Sequence, residues 1–101
     1  MRFTNVAKIF TAQKNVTTAG TPVQLTTFEI PEGTEIVVKA KSTNTGLISI
    51  GYSSATALAS GTDCFKLSAG QGVGVQINDP AQVWIDCTVN GEGVEIICEL
   101  S

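Results

Sequence analysis

Two stretches late in the chain alternate with a period of two. Val83, Ile85, Cys87 and Val89 interleave with Trp84, Asp86 and Thr88, and Val94, Ile96, Cys98 and Leu100 interleave with Glu95, Ile97 and Glu99. Successive side chains of an extended strand point to opposite faces, so each stretch presents one apolar stripe to a core. A helix would wind either stripe around its axis and bury neither. Over residues 35–42 the pattern recurs: Ile36, Val38 and Ala40 fall on one face, while Glu35, Lys39 and Lys41 share the other with Val37.

Nowhere does the chain sustain apolar spacing at three and four residues, and β-branched residues are plentiful. Strands are expected at about Val6–Gln13, Pro22–Ile30, Glu35–Ser42, Leu47–Tyr52, Asp63–Leu67, Gly72–Ile77, Gln82–Val89 and Val94–Leu100. Between them stand residues that accept or preset turn dihedrals: Ala19-Gly20-Thr21-Pro22, Pro31-Glu32-Gly33, Asn44-Thr45-Gly46, Ser68-Ala69-Gly70, Asp79-Pro80 and Asn90-Gly91. The stretch Gly51–Thr62 has few large side chains and is expected to be a long connection that covers surface.

The expected fold is all-β: a single small antiparallel β-sandwich, jelly-roll-like, with about eight short strands. At 101 residues the chain has room for one core, hiding roughly 65% of the unfolded surface. Residues 1–101 form one domain in this reading. Residues 1–10, which include Arg2, Phe3, Lys8 and Phe10, are either an N-terminal arm docking on another subunit or the first strand of the domain's own sheet.

The last two strands are expected to pair as a hairpin. A two-residue turn at Asn90-Gly91 sets Cys87 against Val94 and Ile85 against Ile96, and a four-residue loop over 90–93 sets Cys87 against Ile96. Both registers match apolar to apolar, and Asn-Gly favours the tight turn. Trp84 and Ile97 then share the outer face of the sheet with Asp86, Glu95 and Glu99. Trp84 there either anchors a neighbouring protein or packs under a loop.

Charge and chemistry narrow the function. The net charge is −3 and the pI about 4.6, the wrong sign for a nucleic-acid partner, whose phosphates need a basic footprint. Charge is split along the chain, +2 over residues 1–41 and −5 over 42–101, a weak sign of electrostatic docking between copies. Histidine is absent, removing the commonest general base and metal ligand.

No Ser lies in a nucleophile elbow. Gly70-Gln71-Gly72-Val73-Gly74 precedes an alternating stretch instead of a helix, so it is a turn and strand, not a phosphate cradle. Asp79 and Asp86 match no calcium-loop spacing. The expectation is a protein without catalytic residues, cofactor or metal.

Cys64, Cys87 and Cys98 are odd in number and lack CxxC spacing, so they are expected to be free structural thiols. The opening residues lack the apolar run of a secretion signal, and no window approaches a membrane span. Folding in a reducing cytosol, without a membrane partner, is the expectation.

A longer pattern runs along the chain: Thr18-Ala19-Gly20, then Asn44-Thr45-Gly46 leading into Leu47-Ile48-Ser49-Ile50-Gly51, then Leu67-Ser68-Ala69-Gly70, then Asn90-Gly91-Glu92-Gly93. In this order, over about 80 residues, it resembles small virion structural proteins of tailed bacteriophages. The resemblance implies a capsid decoration or cement protein that binds the outside of the major capsid lattice and bridges its subunits. It implies self-association as a homo-oligomer, with a trimer about a lattice axis as one arrangement, and synthesis in the host bacterial cytoplasm. The implied partners are the major capsid protein and further copies of the chain, through an interface drawn from Arg2, Phe3, Phe10, Trp84 and Ile97. A tail, neck or fibre module with a protein- or glycan-binding role is the alternative, for which Trp84 and Tyr52 are the available amphipathic rings.

Overall fold

The computed structural model describes residues 9–27, 30 and 34–99. Among the described residues there are eight strands, β1 (Ile9–Asn15), β2 (Val23–Gln24), β3 (Ile36–Ala40), β4 (Ile48–Gly51), β5 (Phe65–Leu67), β6 (Gly72–Val75), β7 (Trp84–Cys87) and β8 (Gly93–Glu99). One 3-10 turn, Pro80–Gln82, lies before β7, with Asp79 as its cap: the carboxylate accepts from the Ala81 N–H at 2.9 Å.

Two four-stranded antiparallel sheets pack face to face, in the orders β1-β8-β3-β6 and β2-β7-β4-β5. The expected all-β sandwich is what the chain forms, and the alternation drives it. Ile36, Val38 and Ala40 of β3 and Val94, Ile96 and Cys98 of β8 point inward from one sheet. Ile48 of β4 and Ile85 and Cys87 of β7 meet them from the other, with Val16, Leu25, Ile30, Leu67 and Val83 closing the core. The glycine-bearing segment before Val73 is a turn, with Gly70 at φ +82°, and then β6.

The hairpin between the last two strands does not form. β7 pairs with β2 and β4, β8 with β1 and β3, and residues 88–92 carry the chain from one sheet to the other. Gly91 alone of the Asn90-Gly91 pair has positive φ, +83°, which excludes the turn that needs it at both positions. The two apolar stripes do meet, but across the core instead of side by side. Alternation satisfies both arrangements equally; in the crossing, Val16 runs beside the 88–92 segment, donating its N–H to the Glu92 carbonyl at 2.9 Å and accepting from the Gly91 N–H at 2.8 Å.

It follows that Trp84 and Ile97 lie on opposite outer faces of the sandwich, not on one. The second expected strand is also much shorter than Pro22–Ile30: ladder pairing stops at Gln24, and Leu25 continues with a single bond from its N–H to the Val83 carbonyl at 3.0 Å. Residues 28, 29 and 31–33, with the expected Pro31-Glu32-Gly33 turn, lie outside the described residues, as do 1–8, 100 and 101.

Candidate functional site

The four recurring turn motifs converge. Strand directions bring the segments 15–22, 41–47, 68–71 and 88–93 to one end of the sandwich. There the Glu92 carboxylate accepts from the Thr45 N–H at 2.6 Å, the Thr45 hydroxyl at 2.9 Å and the Gly46 N–H at 2.9 Å. These amide donors hold its pKa below the ordinary value. The Asn44 side-chain amide donates to the Gly93 carbonyl at 2.9 Å. The Asn90 side chain accepts from the Ala19 N–H at 2.7 Å, which ties in the Thr-Ala-Gly segment. The Ser-Ala-Gly turn joins through Gly70, whose N–H donates to the Ala40 carbonyl at 3.0 Å. Three of the motifs thus form one interlock, with Asn90-Gly91-Glu92-Gly93 bonded to both of the others, while the Ser-Ala-Gly turn is held at the same end by β3.

Asp86 extends the interlock inward. Sequence alternation places it on a solvated outer face, yet it is 0% exposed. One carboxylate oxygen accepts from the Gly20 N–H at 2.9 Å and the other from the Ala59 N–H at 2.8 Å. Its cross-strand neighbour Ser49 donates to the Ala57 carbonyl. The small-residue connection over 52–64 therefore lies down on the outer face of β4 and β7, as its composition leads one to expect, and covers an acid that the sequence leaves in water. Nothing local reveals Asp86, because its partners are 66 and 27 residues away.

The expected interface residues are dispersed. Arg2 and Phe3 lie outside the described residues. Phe10, on β1, is half-buried and packs against the core. Ile97, 43% exposed, stands mid-face on the first sheet, in a row with Thr11 and Val37 and beside the Lys39–Glu95 ion pair of 3.4 Å. Trp84 is half-buried and lines a shallow groove with Tyr52, Val75, Ile77 and Gln82, in which Tyr52 is 80% exposed. The groove brings together the two amphipathic rings named above, without any charged residue in its lining.

The three cysteines are free: Cys87 and Cys98 are buried and Cys64 is half-buried. Burial pushes the Cys87 and Cys98 thiols above their ordinary pKa, disfavouring the reactive thiolate. Asp79 caps its 3-10 turn and accepts from the Thr27 hydroxyl at 2.8 Å. Among the described residues, no group of three or more acidic or cysteine side chains is placed to hold a metal ion, and no helix is long and apolar enough to cross a membrane.

No protein-family model and no curated protein matches the sequence. Among solved structures, a chain from Bacillus endospore appendages, described as a novel family of disulfide-linked pili, is similar in fold. Its TM-score is 0.53 at 16% identity, and the match covers 95% of this chain and 88% of that one. At that identity the likeness concerns the fold.

Proposed function

We propose that this chain is a non-catalytic structural subunit that works by adhesion to copies of itself and to a larger assembly, as a decoration protein on the capsid of a tailed bacteriophage. One observation carries the reading: the polar side chains a reactive site would use are committed to holding the fold. Asp86, Glu92, Asn44 and Asn90 bind backbone groups of distant segments, Ser49 holds the Ala57 carbonyl, and Asp79 caps its own turn and holds the Thr27 hydroxyl. What faces outward is sheet surface with Ile97 and Val37 at its centre, and the Tyr52 and Trp84 rings. Such surfaces contact; they do not transform.

The capsid assignment draws its support from the turn-motif resemblance, three of whose motifs the interlock joins. In this role the subunit folds in the bacterial cytoplasm, binds the outside of the major capsid lattice and stabilises the particle by favouring the lattice state it recognises. Weak single contacts become strong through many simultaneous attachments. Counting copies per purified particle tests it. Hundreds of copies on the shell support decoration, and a handful near the tail would replace it with the tail or fibre module.

A second reading is favoured by the fold likeness to the endospore appendage chain: a subunit of a filament. Negative-stain microscopy of the concentrated protein discriminates, since a filament subunit forms fibres on its own and a decoration protein stays in small discrete oligomers until a shell is supplied.

A further inference from the structure

Among the described residues, β1 is an edge strand that nothing covers. Four strands end a sheet: β1 and β6 in one, β2 and β5 in the other. β2 has two residues, β5 three and β6 four, and the Glu35 carboxyl group lies across Gly74 of β6. Short edges and charges laid over an edge are the usual devices against unwanted strand pairing. β1 has neither. It runs for seven residues in unbroken register with β8, without proline, and carries one charge, Lys14.

The ladder shows which backbone groups of β1 are unused. Val16 turns both its N–H and its C=O toward residues 91 and 92. Antiparallel pairing alternates, so Lys14, Ala12 and Phe10 also face β8, and Ile9, Thr11, Gln13 and Asn15 turn their N–H and C=O outward. The far side of β8 agrees. Lys41 donates to the Gly93 carbonyl at 3.1 Å, which gives Gly93, Glu95 and Ile97 to β3 and leaves Val94, Ile96 and Cys98 for β1. Among the described residues nothing takes the outward groups of Thr11 and Gln13.

We propose that β1 pairs antiparallel with β1 of a second copy, about a two-fold axis at Ala12, fusing two four-stranded sheets into one of eight strands. This rests on the adhesive reading above and names its contact. The register follows from the outward groups, since only an axis at Ala12 engages all seven residues of both strands. Thr11 then faces Gln13 of the second copy and Ile9 faces Asn15, while on the inner face Ala12 meets Ala12 and Phe10 faces Lys14. A small side chain sits at the axis, no like charges oppose one another, and an ammonium group is set beside an aromatic ring. Moving the axis to Lys14 would set Lys14 against Lys14. An isologous contact of this kind closes at two copies, in place of the trimer that the phage resemblance implies.

Gln13→Pro is the direct test, because the N–H it removes points away from β8 and proline is tolerated at a sheet edge. In light scattering of the full chain at tens of micromolar, wild type should have twice the chain mass and Gln13→Pro the chain mass, with Trp84 emission unchanged. Ala12→Cys in a Cys64→Ser background should form a disulfide-linked dimer on mild oxidation, because facing residues of a non-hydrogen-bonded pair lie about 4.5 Å apart. A wild-type oligomer that survives Gln13→Pro, or an Ala12→Cys protein that stays uncross-linked, overturns the β1 contact while leaving adhesion through another face intact. A wild type that is monomeric and never joins a larger assembly overturns both.

Discussion

Replacing Asp86 should loosen two segments at once. Its carboxylate holds Gly20, in the connection from β1 to β2, and Ala59, in the connection laid over β4 and β7. A hydrogen bond to a charged group contributes about 1.5–3 kcal/mol, so two give about 3–6 kcal/mol. Both contacts are only partly buried, and the freed amides can regain water, which places Asp86→Ala near the lower end, about 3 kcal/mol. For a domain of this size that lowers Tm by about 12–24 °C. Asp86→Asn keeps one acceptor but sets its NH2 against the other N–H, and should cost about as much. Urea unfolding followed by the fluorescence of Trp84, the single tryptophan, gives the free energy, and amide exchange at Gly20 and Ala59 reports whether the loss is local. If Asp86→Ala unfolds within about 0.5 kcal/mol of wild type, as an ordinary surface substitution does, the carboxylate is not the clamp described here.

Further outcomes follow from the same geometry. A Cβ at Gly93 would lie 2.1 Å from the Lys14 carbonyl oxygen and 2.7 Å from the Asn15 Cα, so Gly93→Ala must displace backbone; about 2–3 kcal/mol of destabilisation is expected in the same urea assay, against about 1–2 kcal/mol for Gly20→Ala, where φ is +90° but the space is open. Because Glu92 has a lowered pKa in the fold, its contribution is present above the ordinary carboxylate value of 4.5 and is lost as pH falls through the lower folded value. The Tm of Glu92→Gln should accordingly converge on that of wild type on acidification through that range and differ most near neutrality. Native protein treated with a thiol reagent should react at Cys64 first, and Cys87 and Cys98 should label only on unfolding, as mass spectrometry of the digested chain would show.

The interlock and the candidate surfaces were legible to different degrees. Each turn motif is visible as turn chemistry, because Gly, Asn and Ser act on their own backbone within a few residues. That Glu92 reaches Thr45, or Asn90 reaches Ala19, is invisible until strand order brings the ends together. Trp84 and Ile97 were recognisable as outward-facing, but not as occupying opposite outer faces. The exposed edge of β1 could not be found by composition at all, since an edge is defined by the neighbour a strand lacks.

Local conformation could be read from residue order alone. Period-two alternation set β3, β7 and β8 within about two residues of their observed limits and told which side of each is apolar, because strand geometry alone fixes where successive side chains point. How those sides met depended on long-range pairing. An apolar stripe is satisfied by an apolar stripe beside it or across from it, and the separation of β7 from β8 rests on partners far along the chain, β2 and β4 for the one and β1 and β3 for the other. Likewise, an acid on an outer face is wet or dry according to whether another part of the chain lies over it, and for Asp86 that choice was made by Gly20 and Ala59.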